Sequence, residues 1–70
     1  MNKLEHYIKD IKSVTDVTEE LKNYVGWRHA SKPIVKVNMT VDCFGIVENV
    51  TEIFSADAWE SVKRNGYYLG

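Results

Sequence analysis

Two short stretches hold most of the side chains that could do chemistry: Trp27-Arg28-His29, and Lys63-Arg64 followed closely by Tyr67-Tyr68. Aromatic faces stack on nucleobases, and a guanidinium group grips phosphate as a fork or stacks on a base. The same residue types, Tyr, Trp and Arg, also dominate the energetic centres of protein interfaces. Adjacent residues of a strand point to opposite faces. Tyr67 and Tyr68 therefore cannot both be buried by a sheet covered on one side, and one of them is expected in solvent or in an interface.

Other reactive types lack a supporting pattern. Cys43 and His29 could pair as nucleophile and base, but Asp42-Cys43-Phe44-Gly45 reads as a type I turn, with Asp first and Gly fourth, which makes Cys43 a small buried or half-buried residue instead. The sequence holds no nucleophile elbow, no glycine-rich phosphate loop and no His-x-x-x-His. We expect no enzymatic activity. A zinc site needs about four ligands, and Cys43, His6 and His29 are too few and too scattered, so no metal or cofactor is expected. Glu19, Glu20, Glu48 and Glu52 could ligate a metal. Glu48 and Glu52 share one strand face, and cross-strand pairing with the face that carries Lys36, Asn38 and Thr40 is the simpler expectation.

The elements that must position these groups follow from periodicity. Leu4, Ile8 and Ile11, flanked by Tyr7 and Val14, give an amphipathic helical stripe. Asp16 with Glu19 resembles a helix start, Val17, Leu21, Tyr24 and Val25 give a second stripe, and Gly26 a stop. One long bent helix over residues 3–25 is the alternative. Beyond the Trp27 loop and Pro33, Val35, Val37, Met39 and Val41 alternate with Lys36, Asn38, Thr40 and Asp42, which is a strand with one wet side. The β-branched run from Ile46 returns as its hairpin partner. Ser55 caps a last helix with Asp57 in its first turn, a Phe54–Trp59 staple, Lys63 and Arg64 near its end and a stop at Asn65-Gly66. Tyr67-Tyr68-Leu69 forms a short strand. The expected fold class is thus α+β: two N-terminal helices, an antiparallel β-hairpin, a C-terminal helix and a short terminal strand, in a single small domain over residues 1–70.

Composition bounds what such a domain can do. The 70 residues are 44% hydrophobic and 27% charged, enough apolar surface to fold. A chain this short stabilises itself with disulfides, metals or partner chains, and its single Cys leaves self-association, so a homo-oligomer is expected. The formal net charge of −1 argues against coating duplex DNA, which needs a basic excess, and against mimicking it. No run approaches the roughly 20 apolar residues of a membrane span. The first ten residues lack the apolar centre of a signal peptide. We expect a cytoplasmic protein, with Cys43 reduced and the two Asn-x-Thr triplets at Asn38 and Asn49 accidental.

With "GWRH" and "KRNGYYLG" as its carriers, this small Lys-, Asn-, Ile- and Tyr-containing chain resembles early proteins of bacterial viruses. Within them it is similar to the small anti-defence sponges that sequester cyclic nucleotide immune signals, such as cyclic dinucleotides. The resemblance implies a non-enzymatic immune-evasion protein, active in the host bacterial cytoplasm, with sites completed by neighbouring subunits. Trp27 and one of Tyr67 and Tyr68 would stack on bases, Arg28 and Arg64, with Lys63 beside them, would meet phosphate, and Asn38 or Thr40 would read base edges. The alternative is a small phage inhibitor of the anti-CRISPR or host-takeover kind, binding a host protein through the same aromatic and Arg surface. Single-stranded nucleic-acid binding is a third reading, and near-neutral charge disfavours it.

Overall fold

The computed structural model describes residues 3–70; the first two residues of the domain lie outside it. It corrects the expected fold class. In place of two N-terminal helices, the chain opens with a long strand, β1 (Glu5–Asp16), and a single helical turn, α1 (Thr18–Leu21). The hairpin strands β2 (Val35–Cys43) and β3 (Ile46–Phe54), the helix α2 (Ala56–Asn65) and the short strand β4 (Tyr67–Leu69) follow. All four strands form one antiparallel sheet in the order β3-β2-β1-β4, with α2 laid across one face.

The helical reading of the first stretch fails for a specific reason. Ile8, Ile11 and Val14 recur every three residues, yet they stand opposite Val41, Met39 and Val37, which recur every two. The difference is absorbed by two β-bulges, where Lys9 and Lys12 have no partner on β2. A bulge adds one residue to one strand without exchanging the faces. Two successive bulges therefore turn a strand's period of two into a period of three, which imitates a helix. Among the second set, Val17 and Leu21 lie near α1, but Tyr24 and Val25 are exposed and Gly26 stops no helix.

The hairpin turn also differs from the type I reading. Cys43 pairs with Ile46, so it is the last residue of β2 and only Phe44 and Gly45 form the turn. Both have positive φ, 52° and 85°, the signature of a type I′ turn, whose twist suits a two-residue hairpin. The Gly45 amide donates to Asp42 Oδ1 at 2.8 Å.

The core is thin. Val35, Val37, Met39 and Val41 of β2 meet Trp59 and Val62 of α2 and Tyr68 of β4, with Ile8, Val50 and Phe54 packed at the border. β2 is the central ridge because a sheet of this order places it between two neighbours and beneath the helix. The helix starts at Ser55, whose Oγ accepts from the Ala58 amide at 3.3 Å, and ends at Gly66 in the left-handed region. Phe54 and Trp59 stack at 5.6 Å between ring centres, fixing the entry of the chain into α2.

Candidate functional site: a fastened loop and an aromatic hollow

The loop between α1 and β2 is a staircase of turns. The amides of Tyr24, Trp27 and Ala30 donate to the carbonyls of Leu21, Tyr24 and Trp27, each three residues back, at 3.0, 2.9 and 3.1 Å. Its base is fastened from three sides. Ile34 donates to Thr18 Oγ1 at 2.9 Å, and Val17 to the Ile34 carbonyl at 2.8 Å. Ser31 accepts from the Ala56 amide on its carbonyl and from the Asp57 amide on its Oγ at 2.8 Å, so the loop itself serves as a second cap for α2. Lys32 folds its ammonium onto the carbonyls of Ala30 and Arg28 at 3.0 and 3.3 Å. Asp16 accepts from the Thr18 amide at 2.9 Å, and hydrogen bonding from the Thr18 side chain first, then from this amide, holds its carboxyl below the ordinary range. On this frame Trp27 is half-buried, while Tyr24, Val25, Arg28 and His29 face outward.

Lys63, Arg64, Tyr67 and Tyr68 gather at the other end of α2. The helix is ten residues long, so its two ends lie about 15 Å apart. Lys63 is paired with Glu60 at 2.9 Å and sits 5.8 Å over the Trp59 ring. Arg64 donates to Ser61 Oγ at 3.3 Å. Tyr68 turns inward: it is 8% exposed, stacks on His6 at 5.0 Å, meets Phe54 edge-on at 5.5 Å and donates its hydroxyl to Glu52 at 3.3 Å. Burial, and then the Glu52 charge, push its phenol up to about 12. Tyr67 points to the opposite face against Tyr7, 5.4 Å away, whose own phenol is raised chiefly by Glu5. An open hollow of about 350 Å³ lies between α2 and β4, lined by Phe54, Ser61, Asn65, Tyr67 and Tyr68 among others.

Asn38 and Thr40 lie on the uncovered face of the sheet. Asn38 Nδ2 is already committed to Asn49 Oδ1 and Thr51 Oγ1, both at 3.0 Å. Glu48 and Glu52 are on the covered face, opposite Val41 and Val37, so the expected cross-strand pairing with Lys36 does not form. A second, larger hollow of about 490 Å³ is lined by Asp16, Glu19, Glu20 and Lys32, among others.

The structure thus divides the expected site into three places: Trp27 and Arg28 on the loop, Asn38 and Thr40 on the open face, and Lys63, Arg64, Tyr67 and Tyr68 around the end of α2. Sequence reasoning missed Ser31, Tyr7 and Phe44. Only Phe44 carried a readable signal, as the partner of Gly45 between two alternating runs. Among the described residues no helix is long and apolar enough to cross a membrane. Compared with known protein families, curated proteins and solved structures, the chain has no match.

Proposed function

We propose that this is a non-catalytic binding protein that engages another protein through the loop between α1 and β2, as the host-protein inhibitor reading implies. One observation carries the reading: the loop is fastened at its base by hydrogen bonds to Val17, α1 and α2, yet holds Tyr24, Val25, Arg28 and His29 in solvent with Trp27 beneath them. These are hot-spot residue types. A loop ordered before binding loses little entropy on binding. The test is quantitative capture from a bacterial lysate with wild-type protein and with Tyr24→Ala and Arg28→Ala. A stoichiometric partner held by the wild type and by Lys63→Ala, but lost by both loop variants, is the expected result. Capture that is indifferent to the loop variants overturns the reading.

Cyclic nucleotide sequestration is the second reading, favoured by the hollow beside β4. Its aromatic lining with Ser61 and Asn65, and Lys63 and Arg64 on the same helix end, supplies stacking and phosphate-binding types together. Trp27 and Arg28 would have to come from a neighbouring subunit. A panel of cyclic dinucleotides and trinucleotides, read by thermal shift, decides it: a shift lost in Arg64→Ala supports sequestration, and no shift with any member ends it.

A further inference from the structure

The outer edge of β3 is nine residues long and paired with β2 in unbroken register from Ile46–Cys43 to Phe54–Val35. It contains no Pro, no Lys and no Arg, and no bulge twists it away; its only charges, Glu48 and Glu52, limit the registers in which a partner strand can pair. Proteins that keep such an edge monomeric usually blunt it with those devices. The apolar residues near this edge concentrate at its two ends. Phe44, Ile46 and Val47 are 81%, 66% and 58% exposed at one end, and Ile53 is 38% exposed at the other. Phe44 also holds φ at 52°, a conformation costly for a bulky residue. A strained, exposed aromatic in a turn where Asn or Gly would relax the backbone is a residue kept for something outside the subunit.

We propose that β3 pairs antiparallel with β3 of a second copy of this chain, with Asn49 opposite Asn49 on the two-fold axis. The sequence of the strand selects this register. Centring on Val50 would set Glu48 directly opposite Glu52 twice, and like charges directly opposite destabilise a pair. Centring on Glu48 or on Glu52 sets that residue against itself. Centring on Asn49 places Glu48 opposite Val50, Ile46 opposite Glu52 and Val47 opposite Thr51, with the nearest carboxylates only on the diagonal. It also brings the apolar turn end of each copy, Phe44 to Val47, to the Ile53–Phe54 end of the other. Centring on Thr51 likewise separates the carboxylates but leaves Ile46, Val47 and the turn beyond the partner strand. The two-residue turn makes Cys43 and Ile46 a mutually bonded pair, and bonding alternates along the ladder. The amides of Val47, Asn49, Thr51 and Ile53 are therefore directed outward; in the Asn49-centred register the first three face strand residues of the partner, and Ile53 faces its turn at Gly45. The result is one eight-stranded antiparallel sheet, 4-1-2-3 joined to 3-2-1-4, an isologous interface. It leaves the loop between α1 and β2 free, so it stands or falls apart from the binding reading.

Sedimentation equilibrium of the wild type should give a species of twice the 8.1 kDa chain mass that dissociates on dilution. Register is read by oxidation of single-Cys variants in a Cys43→Ser background. Directly opposed residues of one antiparallel pair lie within the Cα distance a disulfide spans, about 4.4–6.8 Å. Asn49→Cys should cross-link as a dimer, while Val50→Cys and Thr51→Cys should not. Val47→Lys, an exposed substitution that leaves the core untouched, should weaken dimerisation roughly 10-fold or more. A monomer at every concentration, or cross-linking at Val50→Cys or Thr51→Cys instead of Asn49→Cys, overturns the proposal.

Discussion

Along its β1 side the sheet ends in a strand that breaks register at Lys9 and Lys12 and is covered over Glu5–Tyr7 by β4; along its β3 side it ends in nine residues in continuous register with no guarding cation. The two edges belong to the same sheet and face the same solvent. Bulges and lysines make β1 a poor template for another strand. β4 closes part of it as well, since the Ile8 amide donates to the Gly66 carbonyl at 2.9 Å. Edge protection is therefore local and selective: one side is finished within the chain, and the other stays open to the second copy proposed above.

The largest effect is expected from Asn49→Pro on the open edge. It removes the axial donor in both copies and is expected to weaken dimerisation by about 100-fold or more, some 2.7 kcal/mol. The same experiment on Lys9→Thr, on the blunted edge, should leave the mass unchanged. Sedimentation equilibrium reads both.

The closed end of the β1 edge offers the next test. Tyr68 fastens β4 under α2, and its phenol is raised to about 12 from the ordinary value near 10. The folded protein therefore holds this proton more tightly than the unfolded chain. The stabilisation is complete below pH about 10 and is lost as pH rises toward about 12, a change on the order of 2 kcal/mol. Urea unfolding across that range should show the loss, and Tyr68→Phe should flatten the profile; an unchanged profile would mean Tyr68 is not the group.

Phe44→Asn separates stability from association at the open edge. Relief of the positive φ should stabilise the isolated subunit by about 1 kcal/mol, while loss of the exposed ring weakens the dimer. Chemical denaturation at low concentration and sedimentation at high concentration should thus move in opposite directions. The smallest effect is ionic. The Glu48 side chains of the two copies lie on a diagonal, so salt should tighten the dimer by no more than a few-fold between 0.05 and 0.5 M.

Much of the second half of the fold was legible from residues alone. The alternation from Val35 to Val41 and the Ser55 cap followed by Asp57 state their structures locally. The first stretch was not legible, because bulges at Lys9 and Lys12 are set by pairing with β2 and give β1 the spacing of a helix. The site was readable as residue types but not as a place. Trp27 and Arg28 are fixed by Ser31 bonding to the start of α2, whereas Lys63 and Arg64 sit at its end, and no spacing in the chain reveals that separation. That one tyrosine would face inward followed from strand geometry; which one did so depended on the register of β4 against His6.

Hydrogen exchange followed residue by residue, at low and high protein concentration, tests the central contrast between the two edges most directly. The Asn49 and Thr51 amides should gain protection as concentration rises, while Lys9–Asp16 amides directed away from β2 exchange at a constant rate. Equal, concentration-independent exchange along both edges would contradict that contrast.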